Sequence, residues 1–108
     1  MKNYIICFYF LQHCLYHTLE EELAALLAEM QFEDADPPSE LISEWGGIID
    51  SDSMSDSEIA GKIADHLSEV RPSLSRTVRY IRNGGNSDYF VYEAREMAQE
   101  YLDSTSAE

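Results

Sequence analysis

The residues with the greatest chemical potential lie near the N-terminus. Cys7, His13, Cys14 and His17 are all metal-ligand types, and on a helix His13 and His17 would share a face with Glu21 one turn further on. Zinc wants about four N, S or O ligands in a tetrahedron. The spacing here matches no structural zinc pattern and the segment is otherwise apolar, so no metal is expected. Cys7 and Cys14 would stand about 10 Å apart along a helix, beyond disulfide reach. They read as reduced, buried thiols of a cytoplasmic protein, acting as small hydrophobes.

Asp50-Ser-Asp-Ser-Met-Ser-Asp56 has the alternating oxygens of a calcium loop but fails at the positions that matter. Met54 occupies a ligand position, Ser55 replaces the turn glycine, and Gly61 stands where a bidentate Glu is required. A helix-capping linker is the better reading. The chain carries no nucleophile elbow, no phosphate-binding glycine loop and no H-E-x-x-H. Its adjacent carboxylates, such as Glu20 to Glu22, belong to polar helix faces. The expectation is a non-enzymatic protein with no catalytic residues and no cofactor.

What remains is charge. The 108 residues hold 21 acids and 7 bases, a formal net charge of −14. Residues 20 to 69 contain fifteen acids and one base, Lys62, so this window alone carries −14. Directly after it come Arg71, Arg76, Arg79 and Arg82. Solubility needs a charge of magnitude only about 2 to 8. With Tyr80 among them, the arginines could hold phosphates and stack a base, but an acidic block of this size repels a polyanion at long range. Pairing with the protein's own acids, or with a second subunit, is preferred to direct nucleic-acid binding. The candidate partner-binding surface is acidic: Glu22, Glu29, Glu33, Asp34, Asp36, Glu40, Glu44, Asp56, Glu58, Asp65 and Glu69. Arg71, Arg76, Arg79 and Arg82 form a secondary basic patch.

These charges need elements to position them. Residues 3 to 16 are almost continuously apolar; Tyr4, Phe8, Leu11 and Leu15 fit a helix, and Tyr4 to Phe10 fits a buried strand as well. The run loosely resembles a signal-peptide core, but Gln12 and His13 interrupt it and no small-x-small site follows. It is also far short of the ~20 apolar residues that span a bilayer. It reads as a core element, with no membrane association.

Thr18-Leu-Glu-Glu21 has the form of a capping box and predicts a helix to about Phe32, with Leu19, Leu23, Leu26, Leu27 and Met30 inward. Pro38 suits the first turn of a third helix, which Gly46-Gly47 ends or kinks near Trp45. Ser55-Asp-Ser-Glu58 is a second capping box, opening a helix to about Val70 on Ile59, Ile63 and Leu67. Residues 73 to 92 fit a helix stopped by Asn83-Gly84-Gly85, or a hairpin of 77 to 82 with 88 to 92. The helix is favoured, because Phe90, Ala94, Met97 and Tyr101 carry a helical stripe from Ser87 or Asp88 onward.

The predicted fold is mainly α, a compact bundle of four to five short helices over residues 1 to 104, with 105 to 108 a frayed tail. The alternative is α+β, with an N-terminal strand and a 77–92 hairpin. No repeat or second domain is visible.

In length, net charge, acidic helices and absence of enzyme motifs the chain resembles the small acidic inhibitors of phages and mobile elements, the anti-CRISPR and antirestriction DNA mimics. The resemblance rests on composition over the whole chain and on no motif. It implies a cytoplasmic protein, in the host cytoplasm if phage-encoded, that blocks a basic nucleic-acid-binding protein such as a CRISPR effector or restriction enzyme. Rigid helices hold carboxylates four residues apart at about 6 Å, a stand-in for a row of phosphates. Glu58, Asp65 and Glu69 make one such row and Glu22 with Glu29 another, so Lys at the first three is expected to abolish binding. The second reading is a helical scaffold, homodimeric through residues 3 to 16, whose acidity serves only solubility.

Overall fold

The computed structural model describes residues 1 to 106 apart from Asp34, Gly84 and Gly85. The Gly84-Gly85 stop signal and Asp34 therefore lie outside the described residues. Among the described residues six helices follow in order: α1 (Lys2–Thr18), α2 (Glu21–Met30), α3 (Ser39–Gly47), α4 (Asp56–Val70), α5 (Ser75–Asn83) and α6 (Ser87–Ser106). The mainly α expectation holds, with one helix more than the upper bound. Neither strand of the α+β alternative exists among the described residues. The radius of gyration is 13.0 Å, that of a compact chain of about this length.

The ambiguity over residues 3 to 16 resolves through topology. α1 packs against α2, α3, α5 and α6, and every residue from Tyr4 to Leu11 is buried. A segment apolar on all sides satisfies its backbone internally as a helix while its side chains are covered from several directions. The Tyr4 hydroxyl donates to the Met30 carbonyl at 2.6 Å, and the Cys7 thiol to the Trp45 carbonyl at 3.4 Å, tying α2 and α3 to this axis. The chain's own helices cover most of the surface of residues 3 to 16.

The first capping box does not form. Thr18 is the last residue of α1, buried, with its Oγ1 3.4 Å from that of Thr77. Leu19 turns the chain in the left-handed region (φ 54°) and its N–H donates back to the Leu15 carbonyl at 2.9 Å. The N-cap of α2 is Glu20, with no side-chain cap bond. Burial of Thr18 against α5 outweighs the local capping preference. Helix α2 ends at Met30, short of the expected Phe32, because Phe32 leaves the helix to fill an aromatic cluster. Its ring meets Phe8, Tyr9 and Tyr101 edge-on at centroid distances of 5.1, 5.9 and 4.8 Å.

The side-chain half of the second capping box forms: Ser55 Oγ accepts from the Glu58 N–H at 3.2 Å, while the Glu58 carboxylate accepts from the Ser55 hydroxyl at 3.3 Å in place of its backbone N–H. Residues 75 to 83 are helical, with Leu74, Thr77 and Ile81 buried at helical spacing. The frayed tail is shorter than expected. α6 continues to Ser106, and the Thr105 hydroxyl donates to the carbonyls of Tyr101 and Leu102, both at 3.1 Å. Ala107 and Glu108 are outside the described residues.

Candidate functional site

The acids of the 20–69 window do not form one surface. Along α4, Glu58, Asp65 and Glu69 do share an exposed stripe, but Lys62 stands in the same stripe at helical spacing. Arg82 reaches Asp65 from α5 at 2.8 Å. Three acids are thus offset by two bases, and the stripe is close to neutral. Asp56, at the start of α4, is bound by Arg95 at 2.8 Å.

A second group converges from α2, α3 and the end of α4. Glu22, Glu29 and Arg71 line one hollow. Arg71 also lies 3.7 Å from Glu44, whose other oxygen accepts from His66 Nε2 at 2.6 Å. The His66 ring meets Trp45 edge-on, so Glu44 is tied to a group held by the core. Glu22 accepts from the Ser73 hydroxyl. Glu40 and Glu69 are exposed, as is Asp36.

The arginine segment faces mostly inward to the protein's own oxygens. Arg71 and Arg82 meet acids, and Arg76 donates to the Thr18 carbonyl at 3.1 Å. Arg79 has no acid partner among the described residues.

A row of acids without a base partner among the described residues lies on α6, where sequence counting finds local balance. Phe90, Val91, Ala94 and Ala98 are buried, which turns Glu96, Glu100 and Asp103 outward, with Glu93 at their edge. Arg95, the one base of this helix, points elsewhere. Its Nε donates to Asp56, its Nη1 to the Ser51 carbonyl at 2.7 Å and its Nη2 to the Met54 carbonyl at 2.9 Å. Among the described residues the α6 row is left with neutral donors: Tyr89 to Glu93, and Gln99 to Asp103 at 2.8 Å. Tyr89 and Tyr92 stack at 6.3 Å at the start of the row, both more than half exposed.

Glu33 and Glu100 both bear on Tyr9. The Tyr9 hydroxyl is pushed above its ordinary range, first by burial, then by the charge of Glu33, with Glu100 contributing. One phenol therefore feels carboxylates from both the 31–38 connector and α6. Over ten residues Glu93, Glu96, Glu100 and Asp103 advance about 15 Å, roughly one charge per 5 Å. A single DNA strand presents one per about 3.4 Å of axis.

The N-terminal histidines and cysteines take structural places. His13 and His17 stack on Phe90 at 5.4 and 5.1 Å, and His17 also on Tyr80 at 5.4 Å. Cys7 and Cys14 are buried; burial raises both thiols, Cys14 to about 12. Among the described residues no three His, Cys, Asp or Glu side chains could hold a metal ion. No helix among them is long and apolar enough to cross a membrane.

Comparison with protein-family models, curated proteins and solved structures finds no match to this chain.

Two roles escaped the sequence reading. The Glu20 carboxylate accepts from the Thr77 N–H at 2.8 Å and from its hydroxyl at 2.5 Å, so an acid at the start of α2 caps the first turn of α5. No sequence signal links residues 57 apart. The α6 row is visible as Glu93, Glu96, Glu100 and Asp103 opposite the Phe90–Ala94–Met97–Tyr101 stripe, but summing charge by sequence window hides it behind Arg95.

Proposed function

We propose that the chain is a non-enzymatic acidic binding protein that occupies the basic groove of a nucleic-acid-binding protein, in the manner of a small DNA-mimic inhibitor. The observation that carries the reading is the carboxylate row on the outer face of α6, which has no base paired to it among the described residues. An inhibitor of this kind needs negative charge on a stiff frame that its own cations do not quench. The α6 row meets that condition and the α4 stripe does not. Helical rigidity spares the ordering cost of association, and the net charge steers the encounter at low salt. The stacked tyrosines supply apolar area at the end of the row, where carboxylates alone give steering and little burial. A CRISPR effector or a restriction enzyme has the positively charged channel that this surface would enter.

The test uses immobilised protein exposed to cell lysate, with captured proteins scored for nucleic-acid binding and released by added duplex DNA. The triple variant Glu96→Lys, Glu100→Lys, Asp103→Lys should lose capture, and Glu58→Lys, Asp65→Lys, Glu69→Lys should lose less. Capture indifferent to salt, to duplex DNA and to both variants would reject the proposal.

A further inference from the structure

The outer side of α5 is the reverse of the acidic surface. Two shallow hollows flank it, and among the described residues no acid lines either one, in a chain with 21 acids. The larger, about 380 Å³, lies between α4 and α5 and is lined by Ser68, Ser75, Val78, Arg79, Arg82 and Asn83 with Pro72. The smaller, about 330 Å³ and almost wholly apolar, is lined by Arg76, Arg79, Tyr80 and Asn83. Arg79 and Asn83, one helical turn apart, are the ridge the two hollows share.

The polar groups of the larger hollow are poised to donate. The side chains of Ser68, Ser75, Arg79 and Asn83 have no partner among the described residues. Arg82 is anchored to Asp65 at 2.8 Å, yet its side chain is half exposed. Asp65 holds one nitrogen of Arg82, and the remaining N–H groups of the two guanidiniums, with two hydroxyls and an amide, form a donor set for an oxyanion. Guanidinium favours phosphate through paired N–H···O bonds. Across the ridge, Tyr80 is held in a stack with His17 and Phe90, at 5.4 and 6.1 Å, so its ring is a fixed platform.

We propose that this face binds a mononucleotide, with the phosphate between Arg79 and Arg82 and the base over Tyr80. Affinity is modest and salt-dependent, because the site is open and the remainder of the molecule is negative. The inference does not rest on the reading of the acidic surface.

Adenosine monophosphate, inorganic phosphate and adenosine, titrated at constant ionic strength into isotopically labelled protein and followed by NMR, test it. AMP should shift the Arg79 and Asn83 side-chain resonances saturably and bind more tightly than phosphate, with adenosine weakest. Arg79 is exposed, so Arg79→Ala should keep the fold by circular dichroism and weaken AMP about tenfold or more. Asn83→Ala provides a second exposed variant with a smaller loss, and Arg71→Ala should bind as wild type. The proposal is overturned if AMP gives no saturable shift, if Arg79→Ala binds AMP as wild type does, or if chloride at equal ionic strength reproduces the shifts.

Discussion

Truncating Arg95 to Ala should be among the most damaging polar substitutions in this protein. Its guanidinium joins three points: the Asp56 carboxylate, the Ser51 carbonyl and the Met54 carbonyl, at 2.7 to 2.9 Å. Together these fasten the 48–55 connector and the start of α4 to α6. The two side chains of the ion pair are 26% and 36% exposed. The ion pair is therefore partly screened, worth up to about 1 kcal/mol. Each carbonyl bond to a charged donor would be worth about 1.5 to 3 kcal/mol if dry, and water that enters after truncation recovers about half of that. The sum is about 1.5 to 4 kcal/mol, a Tm drop of roughly 10 to 20 °C in a domain of this size.

Guanidinium denaturation followed by circular dichroism measures the loss, and amide exchange across residues 48 to 55 locates it. Arg95→Lys should recover only part, because one ammonium cannot span the three acceptors. Asp56→Ala should cost less than Arg95→Ala, because both carbonyl bonds survive. A loss under about 1 kcal/mol for Arg95→Ala, with connector exchange unchanged, would refute the assignment of this arginine as the clamp.

Three further outcomes are expected. Glu20→Ala should cost about 1 to 2 kcal/mol in urea denaturation with an unchanged m value, whereas Glu20→Gln, whose amide oxygen still accepts, should lose less; equal losses would mean the cap on Thr77 is not the cause. Ser55→Ala should cost about 1 kcal/mol, and Thr18→Ala should leave the start of α2 intact by amide exchange, because Thr18 does not cap it. Cys7 and Cys14 should resist a thiol reagent at neutral pH until the chain unfolds. Burial raises both thiols above their unfolded range of about 8.5, so the unfolded chain loses their protons first. Their contribution is complete below about pH 8.5 and falls as pH rises, by up to about 1.4 kcal/mol per pH unit for each thiol. Replacing Cys14 by Ala should flatten that alkaline slope, and an unchanged slope would show that the thiol does not titrate between the two states.

Several features of this molecule are legible in the amino-acid sequence alone. The helical stripes of α2 (without Leu19, which is exposed in the turn before it), α4 and α6 follow from apolar spacing, and the Ser55 cap on Glu58 is local chemistry that four adjacent residues settle among themselves. The absence of catalytic motifs and the acid-rich composition also belong to the sequence. The form of α1 does not, because a segment apolar on every side has no period, and only the helices around it show which way each side chain must face. Thr18 has the residues of a cap and becomes a buried helix end, since packing against Thr77 outweighs a local hydrogen bond. Charge is the least legible of all. Counting places the whole net −14 between Glu20 and Glu69, yet Arg82 and Lys62 offset the α4 stripe, Arg71 and His66 bind Glu44, and Arg95 leaves its own helix face to clamp Asp56. Net charge is a sum over the chain and is fixed by composition. Surface potential depends on which charges lie within a few ångströms of one another, and the bundle sets that by bringing together residues 17 to 39 positions apart.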